Sequence, residues 1–260
     1  MKTKIWVTIL GGALVFSVVS AGLLAARPGN PGNDKQPAQV GRPEKLKQII
    51  FVHPVGPDKP DQAGRGKKPK PPEEPKDNTY YEIWAQLAPG IGTYYVNGNV
   101  NLITGGDPVA AVNAAVEAWD GVTATDLFTY AGTTSESWYA EDGQNTISWV
   151  KFLPRDYIAV AVMWYDDTAQ PWLIYEFDIV FNTFHSWGID PIKEDKNTIR
   201  GFDIQNIATH EFGHPVGLDD LYDSLYRELT MYGYSSKGET QKCSLEEGDV
   251  AGAQSLYGPP

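Results

Sequence analysis

Residues 78–260 are predicted to form one α+β domain: a sheet with two helices above it and a small, irregular lower part carrying a third. Three observations predict this. An amphipathic helical pattern follows a first short strand, a middle region rich in aromatic and β-branched residues reads as several strands, and two more helical patterns lie near the end.

Thr93-Tyr94-Tyr95-Val96-Asn97 reads as the first strand, closed by Asn97-Gly98. Asp107-Pro108 opens the first helix, with Asp as cap and Pro in the first turn, and Val109, Val112, Val116 and Trp119 recur at helical spacing to give it one apolar face. Candidate strands follow at Leu127 to Tyr130, Thr146 to Val150, Tyr157 to Trp164 and Trp172 to Phe181. Asp203 caps a second helix, whose Ile204, Ile207, Ala208 and Phe212 provide apolar packing surface. Ser244-Leu245-Glu246-Glu247 has the pattern of a capping box, and the helix it starts is expected to end at Gly258 before two prolines.

Two appendages precede this body. Met1 to Lys4 is basic and Ile5 to Ala26 almost wholly apolar, which predicts an export signal or an N-terminal membrane anchor over residues 1–26. Residues 27–77 hold eleven of the nineteen prolines, eleven Lys or Arg and seven Asp or Glu, and read as a disordered spacer or propeptide. Leu46 to Val52 departs from that composition and can form a single strand, docked on the body or across its cleft. His53, just after it, reads as a linker histidine, with a zinc-capping role as the sharper alternative.

The body has eight basic and twenty-six acidic side chains, a net charge of −18, which argues against nucleic-acid binding. The single cysteine, Cys243, excludes internal disulfides and reads as a small buried residue near the last helix. A monomer is expected. Acidic pairs such as Asp166-Asp167 and Glu194-Asp195 leave calcium as a possible second ion.

The chemistry is concentrated in His210-Glu211-Phe212-Gly213-His214-Pro215-Val216-Gly217-Leu218-Asp219-Asp220. Two histidines four apart share a helix face and can grip one cation, and Glu211 stands beside it as a general base. A catalytic zinc takes three protein ligands, so a third is needed. Gly217 is a natural helix end, and Asp220 can return from the turn as that ligand, in preference to Asp219. Pro215, inside the last helical turn, is expected to strain the geometry at His214.

This HExxHxxGxxD string resembles the metzincin zinc endopeptidases, with Asp replacing the more usual third His. Thr230-Met231-Tyr232-Gly233-Tyr234 resembles their methionine turn, closest to matrixin-like proteins. The resemblance implies a twisted, mostly parallel sheet with an antiparallel cleft-edge strand. It assigns His210, His214 and Asp220 as zinc ligands, Glu211 as general base, Met231 as the floor beneath the ligands and Gly217 as the helix-terminating turn. Ile174 to Asn182 resembles the cleft-edge strand, to which peptide substrate adds, and Glu176 and Asp178 on it read as structural. No cysteine precedes Cys243, so the propeptide cysteine latch common in matrixins is absent. The expected function is an exported, extracellular zinc endopeptidase acting on proteins or peptides, membrane-bound only if the N-terminal segment is retained. The alternatives are a catalytically impaired extracellular binding module and a zinc peptidase of another clan with Glu239 or Glu246 as ligand.

Overall fold

A computed structural model of the chain describes residues 8–10, 13–15, 42–56, 77–152, 154–190 and 201–260. The export or anchor segment is represented only by an antiparallel pair, β1 (Thr8–Leu10) and β2 (Ala13–Val15). The rest of residues 1–26 lies outside the described residues, as do 27–41 and 57–76 of the Pro-rich segment. Among the described residues no helix is long and apolar enough to cross a membrane.

The main sheet takes its strands from β3 (Lys47–Pro54), β4 (Gln86–Leu87), β5 (Thr93–Val96), β6 (Thr129–Thr133), β7 (Asn145–Val150), β8 (Tyr157–Asp166) and β9 (Leu173–Asn182), in the order β3-β8-β9-β7-β5-β6, with β4 also paired to β9. Strands β4, β5, β6, β7 and β9 pair in parallel, and β8 and β3 antiparallel. A short parallel pair, β10 (Trp187–Gly188) and β11 (Phe202–Asp203), leads into the second helix. The expected mixed sheet and three helices are present: α1 (Pro108–Asp120), α2 (Ile204–Val216) and α3 (Glu247–Tyr257).

Helix α1 starts where the sequence indicates, with the Asp107 carboxylate accepting from Val109 N–H at 2.9 Å. Its Val112, Val116 and Trp119 are buried, and the Trp119 indole donates to Thr209 O on α2 at 2.8 Å. Phe212 fixes α2 to the sheet by packing its ring edge-on against Tyr94, Phe128 and Phe177. Truncation at such a ring costs about 3–5 kcal/mol.

Two expectations are corrected. The strand at Ile174–Asn182, expected at the cleft edge, is central: β9 is flanked by β7 and β8, and almost every residue in it is buried. Its apolar residues cover both faces, which suits an interior strand and not an edge. The antiparallel strand at that side is β8, whose outer edge is in turn covered by β3. Helix α3 begins at Glu247 rather than just after Ser244, because Gln241–Cys243 form a separate 3-10 turn. The box is closed by Asp249, which accepts from Glu246 N–H at 3.0 Å.

Glu176 and Asp178 are structural. Glu176 accepts from the backbone N–H groups of Asp142 and Gly143, and Asp178 from those of Ala140 and Thr146, so the two carboxylates hold the loop before β7.

Candidate active site and metal centre

Helix α2 carries His210, Glu211 and His214 on its buried side and stops at Gly217, whose φ of +117° suits glycine. Gly217 N–H closes onto Gly213 O and His214 O, and a Cβ at 217 would lie 2.2 Å from Ala85 O. The turn brings Asp220 back to the two imidazoles. Asp220 Oδ1 lies 3.2 Å from His210 Nε2 and 3.8 Å from His214 Nε2. Pro215 remains within α2, and His214 keeps its place on the helix.

Each imidazole is oriented from behind. His210 Nδ1 donates to Thr230 O at 2.7 Å and His214 Nδ1 to Leu218 O at 3.1 Å, which leaves both Nε2 atoms with lone pairs facing inward. Despite their approach, His210 Nε2 and Asp220 Oδ1 make no hydrogen bond, nor does Glu211 Oε2, although all three are buried. Buried polar atoms without partners are costly, and His210 Nε2 and Asp220 Oδ1, 3.2 Å apart, are what a cation-binding cage presents. The ligand atoms of His210, His214 and Asp220 lie within 4.8 Å of one another. The residues therefore fit a zinc-type ion in donor type and number.

Residues 92–258, well over half of the chain, match the Matrixin peptidase family. The chain belongs to the matrixin family. This matrixin is 36% identical over 73 residues to metalloendoproteinase 4-MMP of Arabidopsis thaliana, which is 28% of this chain and 20% of that protein. Over 63 residues it is 40% identical to stromelysin-1 of Rattus norvegicus and to the hatching enzyme of Paracentrotus lividus, covering 24% of this chain and 13% and 10% of theirs. It thus spans a fifth or less of the length of these curated relatives.

The environment is strongly polarising. Burial pushes the Glu211 carboxyl well above its ordinary value, and the Asp220 charge adds to this. Burial lowers His214 to about 4. Burial also opposes ionisation of Asp220, but the two imidazoles and Tyr222 together hold it below its ordinary value. Asp219 points elsewhere: its carboxylate accepts from Asp220 N–H at 2.8 Å, and its own N–H donates to Glu82 O.

Met231 is buried beneath the helix, with Asp249 of α3 accepting from the N–H groups of Thr230 and Met231. Cys243 is only partly buried, in the 3-10 turn, and its thiol donates to Asp203. His185 is a loop residue, bonded to Tyr157 O at 3.1 Å. Of the acidic pairs considered for calcium, Asp166 and Asp167 are engaged by Thr168 and Lys47, and Glu194-Asp195 lies outside the described residues.

Two groups at the site, Tyr222 and Lys242, had no signal in the sequence, and a third, His53, is buried against Glu211 where a linker histidine was expected. Tyr222 donates its hydroxyl to Asp220 Oδ2 at 2.9 Å. Lys242 is buried, with Nζ donating to Tyr232 O, Tyr234 O and Ser235 Oγ; burial lowers its pKa to about 8. His53, from the Pro-rich segment, has Nδ1 2.9 Å from Glu211 Oε1 and Nε2 3.1 Å from Ser235 Oγ.

Proposed function

We propose that this matrixin is a zinc endopeptidase of the HExxHxxGxxD type, in which His210, His214 and Asp220 hold the ion and Glu211 is the general base. The observation that carries this reading is the cluster of His210, His214 and Asp220, whose buried ligand atoms lie within 4.8 Å of one another with His210 Nε2 and Asp220 Oδ1 unpartnered. When bound, zinc supplies Lewis acidity toward a water and a peptide carbonyl. Glu211 takes the proton of the attacking water and delivers it to the leaving amine, so one carboxylate serves as base and then as acid.

Thr230 O and Leu218 O keep the imidazoles in the ligating tautomer, while Tyr222 orients Asp220 and leaves Oδ1 toward the ion. Met231 forms the apolar floor. Substrates are proteins or peptides, met outside the cell after export directed by the apolar run Ile5 to Ala26.

The test combines metal content with proteolysis. The wild-type chain should hold one zinc and cleave casein, however slowly; Glu211→Ala should keep the zinc and lose at least about a hundredfold of that rate. Equal cleavage by both proteins, or a wild type that holds no zinc, would sink the assignment. Zinc bound without any cleavage, by the wild type and by His53→Gln alike, would favour the impaired binding module.

A further inference from the structure

We propose that residues 47–56 are a built-in cover for this site: β3 fills the outer edge of β8 and His53 ties up Glu211, so the site works only once the strand is displaced. The inference rests on the peptidase reading for what the cover regulates.

The strand occupies the edge along its whole length, from Lys47 opposite Tyr165 to Pro54 opposite Tyr157. An open sheet edge of this kind captures extended peptides through backbone hydrogen bonds. A strand of the same chain competes as a tethered, intramolecular ligand.

Alternation along β3 gives its two faces different tasks. Ile50 and Val52 pack on the side of Val160, Val162 and Trp164, away from the site. Phe51 and His53 point the other way. The Phe51 ring stacks on His214, with centroids 4.1 Å apart and planes at 12°. His53 lies over His210 at 4.0 Å and bonds Glu211 at 2.9 Å. One face of one strand thus touches three of the four residues assigned to the chemistry. Beyond Pro54 the chain crosses to the segment after Met231, where Gly56 N–H donates to Ser235 O at 2.8 Å.

This arrangement does not permit turnover. Glu211 and His210 have no exposed surface, and His53 is bonded to Glu211 Oε1. The cover is directed at the general base and leaves His210 Nε2, His214 Nε2 and Asp220 Oδ1 unobstructed by hydrogen bonds of its own. Zinc and β3 can therefore be held together, and metal content alone does not report activity. Outside the site the cover is anchored by Arg42 on Glu176 and by Lys47 on Asp167.

The test uses the full chain, loaded with zinc, in three variants. Phe51→Ala/His53→Ala removes both ring contacts, His53→Gln removes the imidazole with less disturbance, and Gln48→Ala alters an exposed position of the strand. Two rates are read: zinc transfer to the chelator EDTA, and casein cleavage. The double variant should raise both by at least about tenfold, as expected when the open form becomes more populated. His53→Gln should raise both by a smaller factor, and Gln48→Ala should leave both near wild type. If the double variant does not fold, by circular dichroism, His53→Gln alone decides. Unchanged zinc transfer and unchanged cleavage would overturn the cover, as would a wild type cleaving as fast as the variants. Faster zinc transfer with no cleavage by any protein would uphold the cover and remove the peptidase reading instead.

Discussion

Gly213 and Met231 interlock so closely that a Cβ built on Gly213 would lie 2.1 Å from Met231 Sδ. The same Cβ would lie 3.1 Å from Trp119 Cζ2, so α2, Met231 and α1 meet at one point. A glycine at mid-helix normally gives way to alanine with a gain of roughly 1 kcal/mol. Here overpacking of about 1–3 kcal/mol is set against that gain. Gly213→Ala should therefore lower the thermal midpoint; a raised midpoint would show that Met231 yields without cost.

Tyr222 bonds Asp220 Oδ2 and leaves Oδ1 toward the two imidazoles. Tyr222→Phe removes one hydroxyl and should weaken zinc binding by about tenfold, within the range usual for partners behind a metal ligand. Competition with a fluorescent chelator measures this. In the same assay Asp220→Ala should release the metal and Asp219→Ala should retain it; the reverse result would move the ligand to Asp219.

Arg42 reaches back from the N-terminal segment to a carboxylate with no exposed surface, Glu176 Oε2, at 2.6 Å. Removing the cation strands a buried acid that retains only its two backbone donors. Arg42→Ala should cost about 1–3 kcal/mol of stability. Adding Glu176→Gln should recover part of that loss, read as a shift of the urea midpoint. No recovery would mean that the loss came from Arg42 packing alone.

Lys242 gives a pH dependence of definite sign. Its folded pKa of about 8 lies below the ordinary 10.5, so between those values the unfolded chain binds more protons than the folded one. Stability attributable to this residue therefore rises with pH across that window, as the cost of burying the ammonium is relieved. Stability of wild type minus that of Lys242→Met, followed by urea unfolding, should increase through this range. A flat difference would mean that burial does not lower the folded pKa of Lys242.

The sequence made much of this arrangement readable, and the limits have a physical pattern. Histidines four apart, a glycine that ends the helix and an aspartate three residues later are local geometry, so the residues that meet were named in advance. The caps Asp107 and Asp203 were readable for the same reason. Tyr222 on Asp220 is close in sequence, but its direction depends on the turn at residues 221–233, where Leu221 and Tyr232 pair. Lys242 had no signal, because its partners are carbonyls, and carbonyl positions are not encoded by residue type. The strand at Lys47–Pro54 was visible in its β-branched run, whereas its neighbour β8 lies about a hundred residues away. Nearly continuous apolar character in β9 was the available clue to an interior strand; the resemblance to a cleft edge outweighed it.

The pairing of His53 with Glu211 spans 158 positions of chain. During synthesis the segment that covers the base leaves the ribosome long before the helix that bears it, and Asp249, which clamps the methionine turn, follows later still. If β3 joins the sheet as the sheet forms, the hydrolytic centre is assembled underneath an existing lid.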